Sequence, residues 1–299
     1  MYILVSHLEK AFGVHYVKGG IQALADAMAA VVKEQGGQVL LNSSVETITQ
    51  NKQRASGVVL DNGLKIKAEV VVSNADPGWT YNNLLRGHKK RRWSEKRLKK
   101  SRWSMGLFVW YFGTRNTREK WQDVGHHTIM NGPRYRGLLS DIFDKCFLAE
   151  DMSIYLHRPS VTDPSVAPTG DDCFYALSPV PNLKTATPID WFKEIDIYKD
   201  KMRMVLEKTI PGFSDDIVAE HILTPKDFEE RYLSPFGSGF SLEPRIFQSA
   251  WFRPHNISEE IENLYLVGAG THPGAGIPSV VTSSEVLAKL VADPVIGGS

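Results

Sequence analysis

Gly268, Gly270, Gly274 and Gly276 fall within nine residues, between the apolar run Leu264-Tyr265-Leu266-Val267 and Pro278. An apolar run of that length fits a buried strand, and glycine lets a backbone approach a ligand where a Cβ would obstruct it. Pro278 suits the first turn of a helix, and Val280, Ser283, Ser284, Leu287, Leu290 and Val291 recur near helical spacing. A helix starting there directs its free N–H groups and the positive end of its dipole back at the turn. The chemistry that suits such an end is capture of a phosphate, a carboxylate or an electron-rich ring. A strand, turn and helix with no ligand at all satisfies the same spacing.

Other reactive residue types are arranged less tellingly. His126, His127, His15, His157 and His221 form no helical i, i+4 pair and have no carboxylates at ligand spacing, so they read as surface or hydrogen-bonded side chains and no metal site is expected. Cys146 and Cys173 stand apart with no C-x-x-C, which argues against a zinc site or a disulfide framework and agrees with a reducing compartment. The formal net charge of +1 gives no global case for nucleic acid. Arg86 to Arg102, however, carries ten Lys or Arg in seventeen residues, with Trp93 inside and Trp103, Leu107, Phe108, Trp110, Tyr111 and Phe112 following. A solvated helix face, docking on anionic lipid and, as the weakest of the three, nucleic-acid contact fit that block, and lipid is the favoured reading because interfacial helices combine Lys and Arg with Trp and Phe.

The elements that must hold these groups are partly legible. Ile21, Leu24, Ala25, Met28, Val31 and Val32 mark one face of a helix ending at Gly36-Gly37. Val39-Leu40-Leu41 reads as a strand, Val58-Val59-Leu60 and Leu64-Lys65-Ile66 flank an Asp61-Asn62-Gly63 hairpin turn, and Glu69 to Val72 reads as a buried strand. Tyr155-Leu156-His157 and Phe174 to Leu177 look like strands, and Asp190 to Lys208 like a helix stopped at Pro211-Gly212. At 299 residues with 42% hydrophobic composition the chain can bury a sizeable core. MYILVSHLEK at the N-terminus lacks the basic and apolar regions of a signal peptide, and no run of 18 apolar residues suggests a spanning helix.

LYLVGAGTHPGAGIP, with Gln248-Ser-Ala-Trp-Phe-Arg-Pro-His-Asn256 before it, resembles the C-terminal region of the bacterial and fungal type phytoene desaturases, FAD-dependent carotenoid-forming enzymes. Val17 to Leu24, Ser73-Asn-Ala-Asp76, Leu107 to Gly113, Gly132 to Arg136, Tyr155 to His157 and Val161 to Asp163 resemble that family in the same order. The tail from Thr282 departs from the small-residue helix of the family. No G-x-G-x-x-G followed by an acidic residue occurs, so the chain reads as a C-terminal portion lacking the unit that cradles the FAD pyrophosphate.

The resemblance implies an α/β and α+β flavoprotein: residues 1–80 the remainder of an FAD-binding lobe, 81–245 a substrate and membrane-associated lobe, and 246–299 the FAD-side strand, loop and helix. It implies FAD contacts from Val45, Gly268, Ala269, Gly270, Thr271, Pro273, Gly274, Gly276, Ile277 and Pro278. Val45 and Asn74 also read as ordinary strand and turn residues. His272 and Glu243 are the polar candidates for catalysis, with structural hydrogen bonding as the competing role, while Arg253 and His255 brace the loop. The implied reaction is desaturation of phytoene or a similar isoprenoid dissolved in a membrane, by a cytoplasmic protein seated on an anionic lipid surface, with Trp103 to Phe112 lining an apolar channel. Another oxidoreductase of the superfamily, such as an amine oxidase or retinoid saturase, or an inactive membrane-binding remnant, would share parts of this pattern. Alone, the chain is expected to be colourless or to bind FAD weakly. Nothing in the sequence points to an oligomeric state.

Overall fold

A computed structural model of the chain describes residues 9–185 and 187–291. The reading of the first residues as free of a signal peptide, and the last residues of the divergent tail, lie outside these. In chain order the strands are β1 (Val45–Asn51), β2 (Arg54–Leu60), β3 (Lys65–Lys67), β4 (Val71–Ser73), β5 (Gly106–Thr114), β6 (His127–Met130), β7 (Ile154–His157), β8 (Asp172–Val180), β9 (Ile217–Leu223) and β10 (Leu264–Leu266). Among the elements that lie wholly within the described residues, the helices of six or more residues are α1 (Gly20–Glu34), α2 (Glu95–Lys100), α3 (Tyr135–Ser140), α4 (Trp191–Leu206), α5 (Pro225–Tyr232) and α6 (Ile277–Leu290).

The chain folds as two units, one of Met1–Leu41, Leu107–Pro181 and Thr187–Thr224, the other of Asn42–Gly106, Asn182–Ala186 and Pro225–Ser299. Their boundaries do not fall at 80/81 and 245/246, because each unit draws on segments distant in sequence.

The first unit is built on a five-stranded sheet in the order β6-β7-β8-β5-β9. Alternation in β8 turns Phe174, Ala176 and Ser178 inward and leaves Cys173, Tyr175 and Leu177 half-exposed, as a period of two requires. α4 lays Trp191, Tyr198, Met202 and Leu206 on that inner layer, where the Phe108 ring lies 4.9 Å from Tyr198 and Phe112 stacks 5.0 Å from Phe174. Each such ring, fully buried, contributes about 1.5–3 kcal/mol relative to exposure.

Leu107, Phe108, Val109, Trp110 and Phe112 are buried core residues, and Trp103 is buried in the second unit, so this block is not an open hydrocarbon lining. Tyr111 alone of the β5 aromatics is exposed. β5 lies between β8 and β9 and reads as a near-continuous apolar run because most of its positions are buried. Val39-Leu40-Leu41 forms no strand and is exposed, since three apolar residues without alternation do not fix a register. α1 forms as its periodicity predicts, but Ile21, Met28 and Val31 on its apolar stripe are exposed.

In the second unit β1, β2 and β3 make an antiparallel sheet. The β2–β3 turn follows its residue types: Gly63 takes φ 83°, and the Asn62 side-chain oxygen accepts from the Leu64 amide at 3.0 Å. β10 runs parallel to β4, pairing Leu264 with Val71 and Leu266 with Ser73. Leu264 and Leu266 enter a core with Ile48, Tyr81, Leu85, Trp93 and Leu98. No helix among the described residues is long and apolar enough to cross a membrane.

Candidate functional site

The glycine turn after β10 is tied on both sides. Val267 continues the ladder by donating to the Ser73 carbonyl at 3.1 Å. Gly268 then turns with φ 100° and donates its amide to the Ser283 hydroxyl at 2.9 Å, which fixes the turn to the buried face of α6. The Thr271 hydroxyl donates back to the Gly268 carbonyl at 3.0 Å, and the His272 amide donates to the Pro254 carbonyl at 3.0 Å. Buried Arg253 donates to the carbonyls of Ala269 at 3.1 Å and Phe240 at 3.3 Å.

The glycines have different reasons to be glycine. A Cβ on Gly270 would stand 2.2 Å from Pro77 Cδ, and one on Gly268 2.4 Å from Asn74 Oδ1. These two positions, expected to open the backbone to a ligand, are held small by the chain's own packing against the segment after β4. Gly276 is the opposite case: it takes φ 106°, is exposed, and a Cβ there would meet nothing within 4 Å. It precedes α6, whose N-terminus has no side-chain cap. Pro278 lacks an N–H, so the amides of Ile277 and Ser279 are the first-turn donors left without a side-chain acceptor. Gly274 is buried with φ 141°, Ala269 and Pro273 are half-buried, and Ile277 and Pro278 are exposed. The ligand-accessible end of the loop is therefore Gly276 to Pro278.

Charge beneath the loop is concentrated on Asp76 and Arg253. Desolvation raises the Asp76 carboxyl above its ordinary range against the pull of Ser241, the Gly78 amide and Arg253, while burial pushes the Arg253 guanidinium down against the attraction of Asp76. Arg253 Nε and His272 Nδ1 are buried with no hydrogen-bond partner. Glu243 is engaged by Arg102 at 2.8 Å and Arg245 at 3.1 Å. Val45 opens β1 opposite Leu60 and is partly exposed. His255 bonds Trp251 and Glu259. All these residues belong to the second unit. The uncapped α6 N-terminus and the open Gly276 backbone suit the electron-rich ring of a flavin, so the residues present fit that cofactor.

Two groupings escaped sequence reasoning. Glu260 accepts from the backbone amides of Arg91 at 2.5 Å, Arg92 at 2.9 Å and Trp93 at 2.7 Å, and Glu259 takes the Arg92 guanidinium and the Trp93 indole N–H. The basic block is thus moored to acidic residues far along the chain, and Trp93, Trp103 and Trp110 are 1%, 4% and 1% exposed, unable to insert into lipid. The adjacent His126 and His127 come together with His157, which lies further along the chain. Burial, followed by the neighbouring His126 and His127, pushes the His157 imidazole down to about 4. An apolar cavity of about 270 Å³ lined by Trp79, Leu98, Trp103 and Phe236 lies below the ~300–1,000 Å³ of typical small-molecule sites.

The flavin containing amine oxidoreductase family model matches residues 2–292. The chain belongs to that family. It is 60% identical over 293 residues to a neurosporene-forming phytoene desaturase of Cereibacter sphaeroides, covering 98% of this chain and 57% of the relative. It is 46% identical over 293 residues to a lycopene-forming phytoene desaturase of a Paracoccus species, covering 97% of this chain and 58% of that protein. Within the family these likenesses are to phytoene desaturases, and the family itself is described as flavin containing. The chain spans somewhat over half the length of these relatives. An oxidoreductase structure from Methanosarcina mazei matches with a TM-score of 0.62 at 15% identity, over 91% of this chain and 55% of that one. A putrescine oxidase structure matches with a TM-score of 0.55 at 11% identity, over 91% of this chain and 53% of that one. Both likenesses concern the fold alone: an amine-oxidase-family architecture with α/β content.

Proposed function

We propose that this chain carries the flavin-ring side of an FAD-dependent desaturase acting on phytoene or a similar isoprenoid hydrocarbon. The observation that carries this reading is the strand, glycine turn and uncapped helix from Leu264 to Leu290, in a chain similar along nearly its whole length to phytoene desaturases. When bound, a flavin supplies the hydride acceptance that converting a saturated carbon–carbon bond to C=C requires. The chain's residues provide placement and charge. The Gly276 backbone admits the ring, and the amides of Ile277 and Ser279 with the α6 dipole favour negative charge there. Arg253 holds the loop through Ala269. His272, whose Nδ1 has no hydrogen-bond partner, and Glu243, which Arg102 and Arg245 hold in place, are the polar candidates for proton handling on this reading. The pyrophosphate half of the cofactor falls to a G-x-G-x-x-G unit that these 299 residues do not contain. On this reading the second unit is the FAD side and the first the substrate lobe.

A hydrocarbon substrate resides in a bilayer, and the second unit offers a surface for one. Exposed Lys96, Arg97 and Lys100 border a groove of about 500 Å³ whose other wall includes Phe247 and Phe252, and Ile246, Phe247 and Trp251 are strongly exposed beside it. Cations next to exposed apolar side chains suit peripheral seating on anionic lipid. The apolar half of this surface comes from residues 246–252.

The test uses vesicles loaded with phytoene, incubated with FAD and the chain fused to the G-x-G-x-x-G domain of a resembling desaturase, and read for new conjugated-polyene absorbance, since the chain alone lacks the pyrophosphate cradle and is not expected to desaturate. The reading expects FAD-dependent formation of such absorbance, reduced at least tenfold by His272→Ala. Unchanged phytoene in vesicles that demonstrably hold both protein and flavin would overturn it.

A further inference from the structure

β6 and β7 pair antiparallel with His127 directly opposite His157, so the two side chains rise on the same face of the sheet. His126, at the bend entering β6, turns its ring onto the same place: the ring centroids of His126 and His127 are 4.4 Å apart, and those of His126 and His157 4.6 Å. One ring nitrogen from each histidine lies within 4.8 Å of those of the other two. In each imidazole Nδ1 is the nitrogen facing a hydroxyl. His126 Nδ1 faces Thr162 Oγ1 at 2.6 Å, and His127 Nδ1 and His157 Nδ1 face the Tyr155 hydroxyl at 2.5 and 3.2 Å. Tyr155 and His157 are two residues apart in β7 and so share a face.

We propose that His126, His127 and His157 bind one divalent transition-metal cation of the zinc class through their three Nε2 atoms. A protonation state with hydrogen on all three Nδ1 atoms satisfies every hydroxyl contact at once. Thr162 accepts one N–H, and the two lone pairs of the Tyr155 oxygen accept the other two. That state leaves three Nε2 lone pairs, and His126 Nε2 is already buried with no partner. Metal-binding histidines are held in the same manner, with the second ring nitrogen donating to an oxygen that fixes tautomer and orientation. Nitrogens bound to zinc at ~2.0–2.1 Å are at most ~4.2 Å apart, and with one ring nitrogen of each histidine already within 4.8 Å of the other two, side-chain rotation is enough to bring one nitrogen from each ring onto a single ion. Three imidazoles without a carboxylate select zinc, cobalt, nickel or copper over magnesium or calcium. Exposed His127 gives the ion a path in and leaves its remaining coordination positions to water.

The test is equilibrium dialysis of the full, tag-free chain against zinc chloride, with bound metal counted per chain, and Co²⁺ absorption as a reporter of coordination geometry. One zinc per chain is expected, with visible Co²⁺ bands. His127→Gln changes an exposed side chain, so its fold is retained, and it is expected to weaken zinc at least tenfold. Tyr155→Phe removes the shared hydroxyl and is expected to weaken zinc ~10–100-fold, and His15→Gln to leave binding unchanged. Absence of saturable zinc binding by the wild-type chain would overturn the proposal, as would wild-type affinity in the His127→Gln, His157→Gln double variant.

Discussion

Glycine at 270 and glycine at 276 look equivalent in the sequence and are physically opposite in the fold. A methyl on Gly270 would collide with Pro77 and with Ser241 Oγ at 2.9 Å, backed by a buried loop that has no room to yield. Gly270→Ala is therefore expected to destabilise the second unit by about 1–3 kcal/mol as overpacking, whereas Gly276→Ala meets open space and carries only the ~1 kcal/mol of a positive φ. Paired thermal melts distinguish the two, and equal losses would show that the loop is not packed against Pro77. The spacing of the glycines was legible in the sequence, but which of them face a neighbouring segment was not, because Pro77 and Asn74 approach through tertiary packing. The histidines are the sharper case. Their convergence follows from the β6–β7 register and a bend, neither of which leaves a local pattern around His126, His127 or His157.

Elements with a strong period of their own are where sequence and fold agree: α1, α4, the β2–β3 hairpin and the β10-to-α6 sequence all form. Agreement fails where an element depends on a distant partner. The Val39 to Leu41 run has the composition of a strand without its pairing, and the aromatic residues beside the basic block are drawn into two cores by β5 and by Trp103 packing. The proposed membrane seating therefore falls to α2 together with the 246–252 segment. Replacing Lys96, Lys99 and Lys100 by Gln is expected to weaken binding to anionic vesicles by up to about 100-fold, at ~1 kcal/mol per cation. Replacing Ile246, Phe247 and Trp251 by Ser removes the fraction that survives high salt, since screening weakens only the charge contribution. Co-sedimentation reads both, and equal binding to neutral and anionic vesicles would refute the electrostatic part.

Across the whole molecule, an amine-oxidase-family architecture is assembled from discontinuous segments, with every residue expected to touch FAD in the unit that contains β10, the glycine turn and α6. Family-level likeness was readable because its motifs are short, local and in order along the chain. The division into units was not, because it is set by which segments pack together. The proposed function depends most directly on the loop ending at Gly276 facing a flavin. FAD titrated into the full chain, followed by quenching of flavin fluorescence, is predicted to give a weak but saturable one-to-one response that Gly276→Val abolishes, with the variant's folding verified by its melting transition. No saturable response, or the same response in a folded Gly276→Val chain, would contradict it.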